Sequence, residues 1–395
     1  MMKIPHPLTI LVLVNTSVSA FTVNTYNRKL DLGPGSALCA GLDNIGGEIT
    51  ALARIDRDWQ LKTRSSNRPT GGQAGWTKLL LESDGDSSDS LGVSNQEFVY
   101  LLEPPSSPSS VILFLGGAGL GQYPHIAYNE FLSRISQKLN AAIITAPYAV
   151  GLDHFELSKK SGENLRRAVI QCEENGYSQL LPKFYLGHSL GSKLLTISLA
   201  ATGLPEDVEG IGFLNYNNFG FADTITMVKS FAGSMGVGGG NNAMYSQIFD
   251  FAEQAVNMSG LDFSPNPDGT NKIVSLKYDV TFQKKTRLFI FDQDDLDSSK
   301  DFLNACEGTG PSISNLPGNH LASVYLKFGV DDLDIPDEAK MFTDEVTGGF
   351  QSASFGDEDN LNAAVGEVCD WMIGKEPKQL PPSIKVNEGT NDKSR

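Results

Sequence analysis

The sequence is poor in cysteine. It has four cysteines in 395 residues, and no two of them form a Cys-x-x-Cys pair. If Cys39 is removed with a targeting segment, an odd and widely spaced set remains: Cys172, Cys306 and Cys369. This usage argues against a disulfide framework and favours a reducing compartment.

Positive charge and long apolar runs are also scarce. The chain carries 31 Lys and Arg against 47 Asp and Glu, a formal net charge of −16. Because such a surface repels phosphate backbones, we expect no nucleic-acid partner. No apolar run reaches the 18 or so residues that span a bilayer, so we expect no transmembrane segment.

Motifs for metals and nucleotides are missing as well. The sequence has no Walker A pattern and no His-Glu-x-x-His. The acidic stretch Ser83–Asn95 lacks the glycine and terminal glutamate of a calcium loop, and Asp292–Asp297 has Leu296 where a ligand is needed. Gly117-x-Gly119-x-x-Gln122 misses the third glycine of a dinucleotide loop. We therefore expect no metal and no cofactor.

One stretch does carry a chemical motif. Gly187-His188-Ser189-Leu190-Gly191 spells Gly-x-Ser-x-Gly, between an apolar strand predicted at Lys183–Leu186 and a helix predicted over 190–201. The chain has 40 glycines, so the spelling alone could arise by chance; the strand and helix around it supply the context that the motif requires. A serine on such a turn is a nucleophile, and the helix N-terminus behind it favours a developing oxyanion.

Strands and helices alternate from residue 97 onward. The predicted strands are Phe98–Leu102, Val111–Leu115, Ala141–Thr145, Lys183–Leu186, Ile211–Leu214, Thr286–Phe291 and Ser312–Leu316. In most of the segments between these strands, apolar residues recur at the spacing of a helix. This alternation predicts an α/β protein with a mostly parallel sheet and helices on both faces.

Two segments depart from this alternation. Residues 221–285 are predicted to form a helical cap insertion, with four of the eight methionines and an amphipathic helix over 244–256. Methionine packs well around an irregular apolar ligand, but these residues could equally pack the insertion onto the body. Near the N-terminus, Ile49–Leu61 is interpreted as a strand or packing segment.

Partners for the serine are sought downstream, in the chain order Ser, Asp or Glu, His. Of five histidines only His320 lies downstream, directly after a predicted strand. The aspartates of residues 292–297 directly follow the preceding strand. We predict catalysis by Ser189, His320 and Asp295, with Asp297 as second choice for the acid and Asp294 as third.

The loop after Val111–Leu115 is rich in glycine. We expect the oxyanion to be bound by the Leu190 N–H together with an N–H of Gly117 or Ala118. His188, beside the serine, is a further candidate for substrate binding. His154, in Asp153-His154-Phe155, either lines the pocket or belongs to the cap of the following helix.

The N-terminus has the pattern of a targeting sequence. Lys3, the apolar run Leu8–Val14 and Val18-Ser19-Ala20 predict a signal peptide over 1–20. Residues 21–45 begin with Phe21 and a basic stretch, and so resemble the second part of a bipartite plastid presequence. We predict plastid localisation, with secretion as the alternative, a main domain over 46–374 and a disordered tail over 375–395.

Several motifs taken together resemble one family, the domain of unknown function 1350 of cyanobacteria, algae and plants. They are Phe114-Leu115-Gly116-Gly117-Ala118, Asp153-His154-Phe155, Gly187-His188-Ser189-Leu190-Gly191-Ser192-Lys193-Leu194, Asn215-Tyr216-Asn217-Asn218-Phe219, Phe263-Ser264-Pro265-Asn266-Pro267 and Leu316-Pro317-Gly318-Asn319-His320-Leu321. The resemblance implies an α/β-hydrolase fold and agrees with a plastid location. It implies no particular substrate.

The expected activity is that of a serine hydrolase acting on a small-molecule or lipid acyl substrate, an ester or a thioester. The same site could transfer the acyl group to another acceptor if water is excluded. The alternative is a non-catalytic binding or assembly protein on the same fold, because a fold does not by itself decide activity. Protein partners stay open at this point.

Overall fold

The computed structural model describes residues 52–63, 65–70, 74–82, 96–224, 262–308, 310–329 and 352–377. Their centre is a nine-stranded sheet in the order β1-β2-β3-β5-β4-β6-β7-β8-β9. The strands are β1 Ser65–Ser66, β2 Gly75–Leu80, β3 Phe98–Glu103, β4 Ser110–Leu115, β5 Ala141–Thr145, β6 Lys183–His188, β7 Val208–Leu214, β8 Thr286–Phe291 and β9 Ser312–Leu316. A separate antiparallel pair joins β10 Leu326–Gly329 to β11 Ser352–Phe355.

Six adjacent strands from β5 to β9 run parallel, and only the pairings of β2 with β3 and of β3 with β5 are antiparallel. The central strand β4 is buried along its whole length. A strand covered on both faces is apolar throughout, as Val111–Leu115 is in the sequence.

Helices cover both faces of the sheet. They are α1 (52–62), α2 Pro124–Ala127, α3 Asn129–Leu139, α4 His154–Glu174, α5 Leu190–Thr202, α6 Pro267–Lys277, α7 Val280–Lys285, α8 Ser299–Ala305 and α9 Glu358–Met372. Residues of α3 and α9 pack in the apolar core on one face. Residues of α4, α5 and α6 pack in the core on the other face. The predicted α/β fold class, a mostly parallel sheet with helices on both faces, is confirmed.

Of the two interpretations of Ile49–Leu61, a strand or a packing segment, the strand is wrong over the described residues, whereas Leu52 does pack in the apolar core. Residues 52–62 are helical, and Leu52 and Asp56, four residues apart, are both buried. The spacing of four places both side chains on one face of a helix, a pattern that the strand interpretation did not consider.

Several predictions fall on residues outside those described. These are the signal and plastid segments (1–45), the acidic stretch Ser83–Asn95, the insertion helix over 244–256 and most of the predicted tail. Of the predicted insertion, residues 221–224 and 262–285 are described, and the second range includes α6 and α7. Among the described helices, none is long and apolar enough to cross a membrane.

Candidate active site

Ser189 lies on the sharp turn between β6 and α5. Its backbone has φ 54° and ψ −124°, a left-handed conformation that non-glycine residues rarely adopt. A Cβ on Gly187 would lie 2.6 Å from the Ser192 Cα, and a Cβ on Gly191 would lie 2.2 Å from the Leu115 carbonyl oxygen. The two glycines of the motif are therefore required by close backbone approach, and the turn presents the serine at the carboxyl edge of the sheet.

A continuous series of hydrogen bonds begins at this serine. The Ser189 Oγ lies 2.8 Å from the His320 Nε2. The His320 Nδ1 lies 2.9 Å and 3.1 Å from the two carboxylate oxygens of Asp294. The structure thus brings together Ser189 and His320, which chain order had paired, with an aspartate from residues 292–297.

The aspartate that contacts the histidine is Asp294, and Asp295, our first choice, is exposed. The reason is the tightness of the turn after β8. The Asp294 N–H donates to the Phe291 carbonyl oxygen, so the chain reverses within three residues of the strand end. A longer loop would instead have placed Asp295 beside the histidine.

Asp294 is held ionised by its surroundings. Burial alone would raise its pKa, but the hydrogen bond and charge of His320, with a hydrogen bond from Asn215, lower it below the ordinary value. The Asn215 Nδ2 donates to Asp294 Oδ2 at 2.7 Å, and the Leu296 N–H donates to Oδ1 at 2.9 Å. An ionised Asp294 accepts from the His320 Nδ1–H, which leaves Nε2 as the acceptor for the serine proton.

Hydrogen bonds join the loop that carries His320 to the loop that carries Asp294. The Asp292 N–H donates to the Leu316 carbonyl oxygen, and the Gln293 N–H donates to that of Gly318. In return, the Gly318 N–H donates to Asp292 Oδ1 at 2.9 Å. Asp292 therefore fixes the spacing of the two loops and does not contact the histidine ring.

One of the candidate oxyanion donors already has a hydrogen-bond partner. The Gly117 N–H donates to the Tyr128 hydroxyl at 2.7 Å, so it is already occupied. The N–H groups of Leu190 and Ala118 have no hydrogen-bond partner among the described residues. Between Gly117 and Ala118, which we had left open, the geometry therefore favours Ala118, together with Leu190.

His188 is buried and links Tyr128 to the backbone of His320 through two hydrogen bonds. Its Nε2 lies 2.8 Å from the His320 carbonyl oxygen and its Nδ1 lies 2.9 Å from the Tyr128 hydroxyl. Because a carbonyl only accepts, Nε2 carries the proton and Nδ1 accepts from Tyr128. Burial, with a smaller contribution from His320, lowers the pKa of His188 to about 3, so the ring stays neutral. Gly117, Tyr128, His188 and the His320 backbone thus form one hydrogen-bonded chain.

Asp153 and His154 have separate positions. Asp153 is the N-cap of α4, and its side chain accepts from the Glu156 N–H at 3.0 Å. His154 is buried, stacks on Phe263 at 4.2 Å between ring centroids, and makes no cap hydrogen bond. The cap role therefore belongs to Asp153.

Asp297, our second choice for the acid, is directed elsewhere. Its Oδ1 accepts from the Ser299 N–H at 2.6 Å, while its Oδ2 is buried and has no hydrogen-bond partner within the described ranges. Burial raises the pKa of Asp297 to about 6, and the nearby Asp294 adds to the rise.

Sequence reasoning missed two residues of this site. Tyr128 is one of them: nothing in the residues around it indicates that its hydroxyl contacts the glycine loop. Asn215 had a signal, because it directly follows β7 at the carboxyl edge, where side chains from several strands converge. No cluster of His, Cys, Asp and Glu suited to a metal occurs in the described part of the chain.

Comparison with solved structures finds distant similarity. A carboxyl esterase of the fungus Tuber melanosporum is 14% identical, covering 72% of this chain and 91% of its own, with a TM-score of 0.40. A dienelactone hydrolase of Anabaena variabilis is 12% identical, covering 77% and 99%, with a TM-score of 0.39. A peroxisomal α/β-hydrolase of Saccharomyces cerevisiae is 10% identical, covering 81% and 95%, with a TM-score of 0.40. We draw no functional conclusion from similarity at this level.

Comparison with curated proteins finds no match. The family comparison is clearer. A model described as a protein of unknown function, DUF1350, matches residues 97–332, which is more than half of the chain and includes Ser189, Asp294 and His320. The chain belongs to the DUF1350 family.

Proposed function

We propose that the protein is a serine hydrolase that cleaves an ester or thioester with Ser189, His320 and Asp294. The observation that carries the proposal is the hydrogen-bonded series from the Ser189 Oγ through the His320 ring to the Asp294 carboxylate. Each of the three residues comes from a different loop at the carboxyl edge of the sheet. Nucleophile, base and orienting acid in such contact are the arrangement that acyl transfer requires.

The chemistry divides into two steps. The Ser189 Oγ attacks the acyl carbon while the His320 Nε2 takes its proton, and collapse of the tetrahedral intermediate expels the alcohol or thiol, which receives that proton. Water then attacks the acyl-enzyme, again giving a proton to Nε2, and Ser189 recovers it as the acid leaves. Asp294 keeps Nδ1 protonated and stabilises the imidazolium in both steps.

The oxyanion of each tetrahedral intermediate is assigned to the N–H groups of Leu190 and Ala118. Leu190 is the first residue of α5, so the helix dipole adds to its donor strength. If an acceptor other than water reaches the acyl-enzyme, the same steps transfer the acyl group instead of hydrolysing it. A lipid acyl chain is one candidate substrate, and screening by chain length tests it.

The test is hydrolysis of 4-nitrophenyl esters of graded acyl length by the purified protein. Ser189→Ala should lower turnover by about 10⁴–10⁶-fold without loss of folding. Full activity in that variant would contradict the assignment. If the folded wild type cleaves none of the esters or the corresponding thioesters, the non-catalytic binding protein becomes the better interpretation.

Location is a separate proposal. We propose that residues 1–45 direct the protein to a plastid, on the basis of their signal-like start and basic continuation. A fluorescent protein fused behind this segment should accumulate in plastids of an algal cell. Export of the fusion to the medium would favour the secretory alternative.

A further inference from the structure

Three residues from different motifs, none of them used by the proposed hydrolase chemistry, meet in one place. The His154 ring stacks on the Phe263 ring with centroids 4.2 Å apart and planes inclined by 23°. The Lys193 Nζ lies over the same ring, 5.7 Å from its centroid. A β-bridge between Asp153 and Ser264 holds the two loops side by side. We call Lys193, His154 and Phe263 the basic cluster.

The two basic side chains of this cluster make no hydrogen bond to any described residue. Lys193 and His154 are each 1% exposed, and neither the Lys193 Nζ nor either ring nitrogen of His154 has a hydrogen bond in the part of the chain described. A buried polar group without a partner is costly, and a buried charge more so. Two such groups beside one aromatic ring indicate a site whose partner is a ligand.

A carboxylate of the protein lies in the neighbourhood but is otherwise engaged. Asp262 Oδ1 accepts from the N–H groups of Phe221 and Phe263, both at 2.8 Å. No ion pair joins Asp262 to Lys193 among the described side chains. Asp262 therefore acts on Lys193 through its charge, which favours the ammonium form, and not through a hydrogen bond. The N–H donors of the ammonium group remain available to an external anion.

The charge state of the cluster suits an anion. Burial lowers the pKa of Lys193 to about 8, which still leaves an ammonium at neutral pH. Burial, with a smaller contribution from Lys193, lowers the pKa of His154 to about 3, so this ring is neutral and offers one N–H donor. An ammonium group and an N–H donor, both placed against the Phe263 ring, can bind the oxygens of a carboxylate or a phosphate.

The cluster lies beside the proposed nucleophile. Lys193 follows Ser189 by four residues on α5, which is about 6 Å along a helix axis. His154 is the first residue of α4, so it also stands at the carboxyl edge of the sheet. Phe221 packs on Phe263 with centroids 5.3 Å apart, and both residues belong to the predicted insertion, 221–285.

We propose that Lys193 and His154 form an anion subsite that binds a carboxylate or phosphate group of the substrate. The inference rests on the proposed hydrolase function and deepens it, because it makes the substrate an ester or thioester that also carries a negative charge. Phe263 then packs against the part of the substrate next to that charge.

Binding is tested apart from catalysis, in the Ser189→Ala protein. Calorimetric titration with monomethyl succinate and with methyl phosphate compares the two anions, and methyl butanoate is the neutral control. At least one anion should bind, and adding Lys193→Met should weaken its binding by at least about tenfold, the effect of losing one charged hydrogen bond. The anion that binds more tightly identifies the group that the subsite takes.

Two further variants keep the test decisive. His154→Phe retains a ring to stack on Phe263 but removes both nitrogens, and should weaken binding even if Lys193→Met does not fold. Lys183→Met removes another buried lysine at the opposite end of β6 and should leave anion binding unchanged. No anion binding, or binding unaffected by both Lys193→Met and His154→Phe, would overturn the proposal.

Kinetics separate this proposal from the hydrolase assignment. With an active enzyme, 4-nitrophenyl hydrogen succinate should have a higher kcat/KM than 4-nitrophenyl butanoate, and Lys193→Met should remove that preference by raising KM for the succinyl ester alone. Equal loss for both esters would contradict the subsite while the hydrolase stands. Anion binding through Lys193 in a protein that cleaves neither ester would leave the subsite standing and remove the hydrolase.

Discussion

Two buried lysines, Lys183 and Lys193, lie at opposite edges of the parallel sheet and have opposite surroundings. At the amino edge, the Lys183 Nζ lies 3.0 Å from Glu173 and also pairs with Asp207. At the carboxyl edge of the same strand-helix unit, the buried Lys193 Nζ makes no hydrogen bond within the described part of the chain, and Ser189 is held at positive φ. Strain and unpaired groups persist only where the surrounding structure imposes them, and they concentrate at functional sites. This contrast suggests a division of roles. Charged pairs at the amino edge stabilise the fold, and the carboxyl edge carries the residues of the proposed reaction.

The sharpest test of this contrast removes the proposed base. His320→Ala should lower kcat by about 10⁴–10⁶-fold, because the serine loses its proton acceptor. Lys183→Met, at the amino edge, should lower the melting temperature and leave kcat near the wild-type value. Steady-state kinetics and thermal denaturation of both variants check the expectation. A large loss of kcat in Lys183→Met would show that the edges are not separate in function.

A matched pair of neighbouring aspartates is the next test. Asp294→Asn should lower kcat by about 10⁴-fold, since the amide no longer holds the His320 Nδ1–H and favours the wrong tautomer. Asp295→Asn changes an exposed residue one position away and should leave kcat unchanged. Equal effects of the two substitutions on kcat would contradict the geometry.

The hydrogen-bonded chain behind the oxyanion loop should have a smaller effect. Tyr128→Phe leaves the Gly117 N–H and the His188 Nδ1 without their partner. We expect kcat to fall by about 10–100-fold with little change in KM, since a displaced oxyanion donor costs less than a lost base. A change in melting temperature without any change in kcat would reduce Tyr128 to a structural role.

The two lysines should affect stability with opposite sign. Burial lowers the pKa of Lys193 to about 8, so its ammonium destabilises the fold below that pH and the penalty fades as pH rises towards 10.5. Lys193→Met should therefore raise the free energy of unfolding at pH 7 by about 1–3 kcal/mol. Lys183→Met should lower it by about 1–2 kcal/mol, because Glu173 and Asp207 lose their partner. Denaturant unfolding at pH 7 measures the free energy of unfolding of both variants. A change of the same sign in Lys193→Met and Lys183→Met would contradict the proposed difference between the two edges.

The smallest expected change concerns Asp297. Its pKa rises from 3.8 to about 6 on folding, chiefly through burial, so the carboxyl stabilises the fold when protonated and loses this contribution as pH rises through 6. Asp297→Asn keeps an oxygen for the Ser299 N–H and removes the charge. The variant should gain stability over wild type at pH 7.5 and show no gain at pH 3.5, as followed by melting temperature. A gain that does not depend on pH would contradict this account.

The sequence was informative where local patterns decide structure. The apolar run Val111–Leu115 predicted a fully covered strand, and the spacing of Gly187 and Gly191 predicted the turn at Ser189. Both features depend on residues that are neighbours in the sequence, so a local pattern is enough to predict them. Chain order paired Ser189 with His320. It could not select Asp294, because the choice depends on a single hydrogen bond in the turn after Phe291.

Contacts between distant segments were not predictable in this way. Lys193, His154 and Phe263 are separated by tens of residues, and nothing in their own neighbourhoods shows that they share one site. The Tyr128 hydroxyl was likewise hidden by the helical pattern of the residues around it. Both features exist only after the sheet has set the loops side by side.

The central claim is that Ser189 is an activated nucleophile, and labelling with a fluorophosphonate probe tests it most directly. Mass spectrometry of the labelled and digested protein should find the probe on the peptide that contains Ser189, with no labelling in the Ser189→Ala variant. A folded wild-type protein that does not react, or that reacts equally in the variant, would contradict the account.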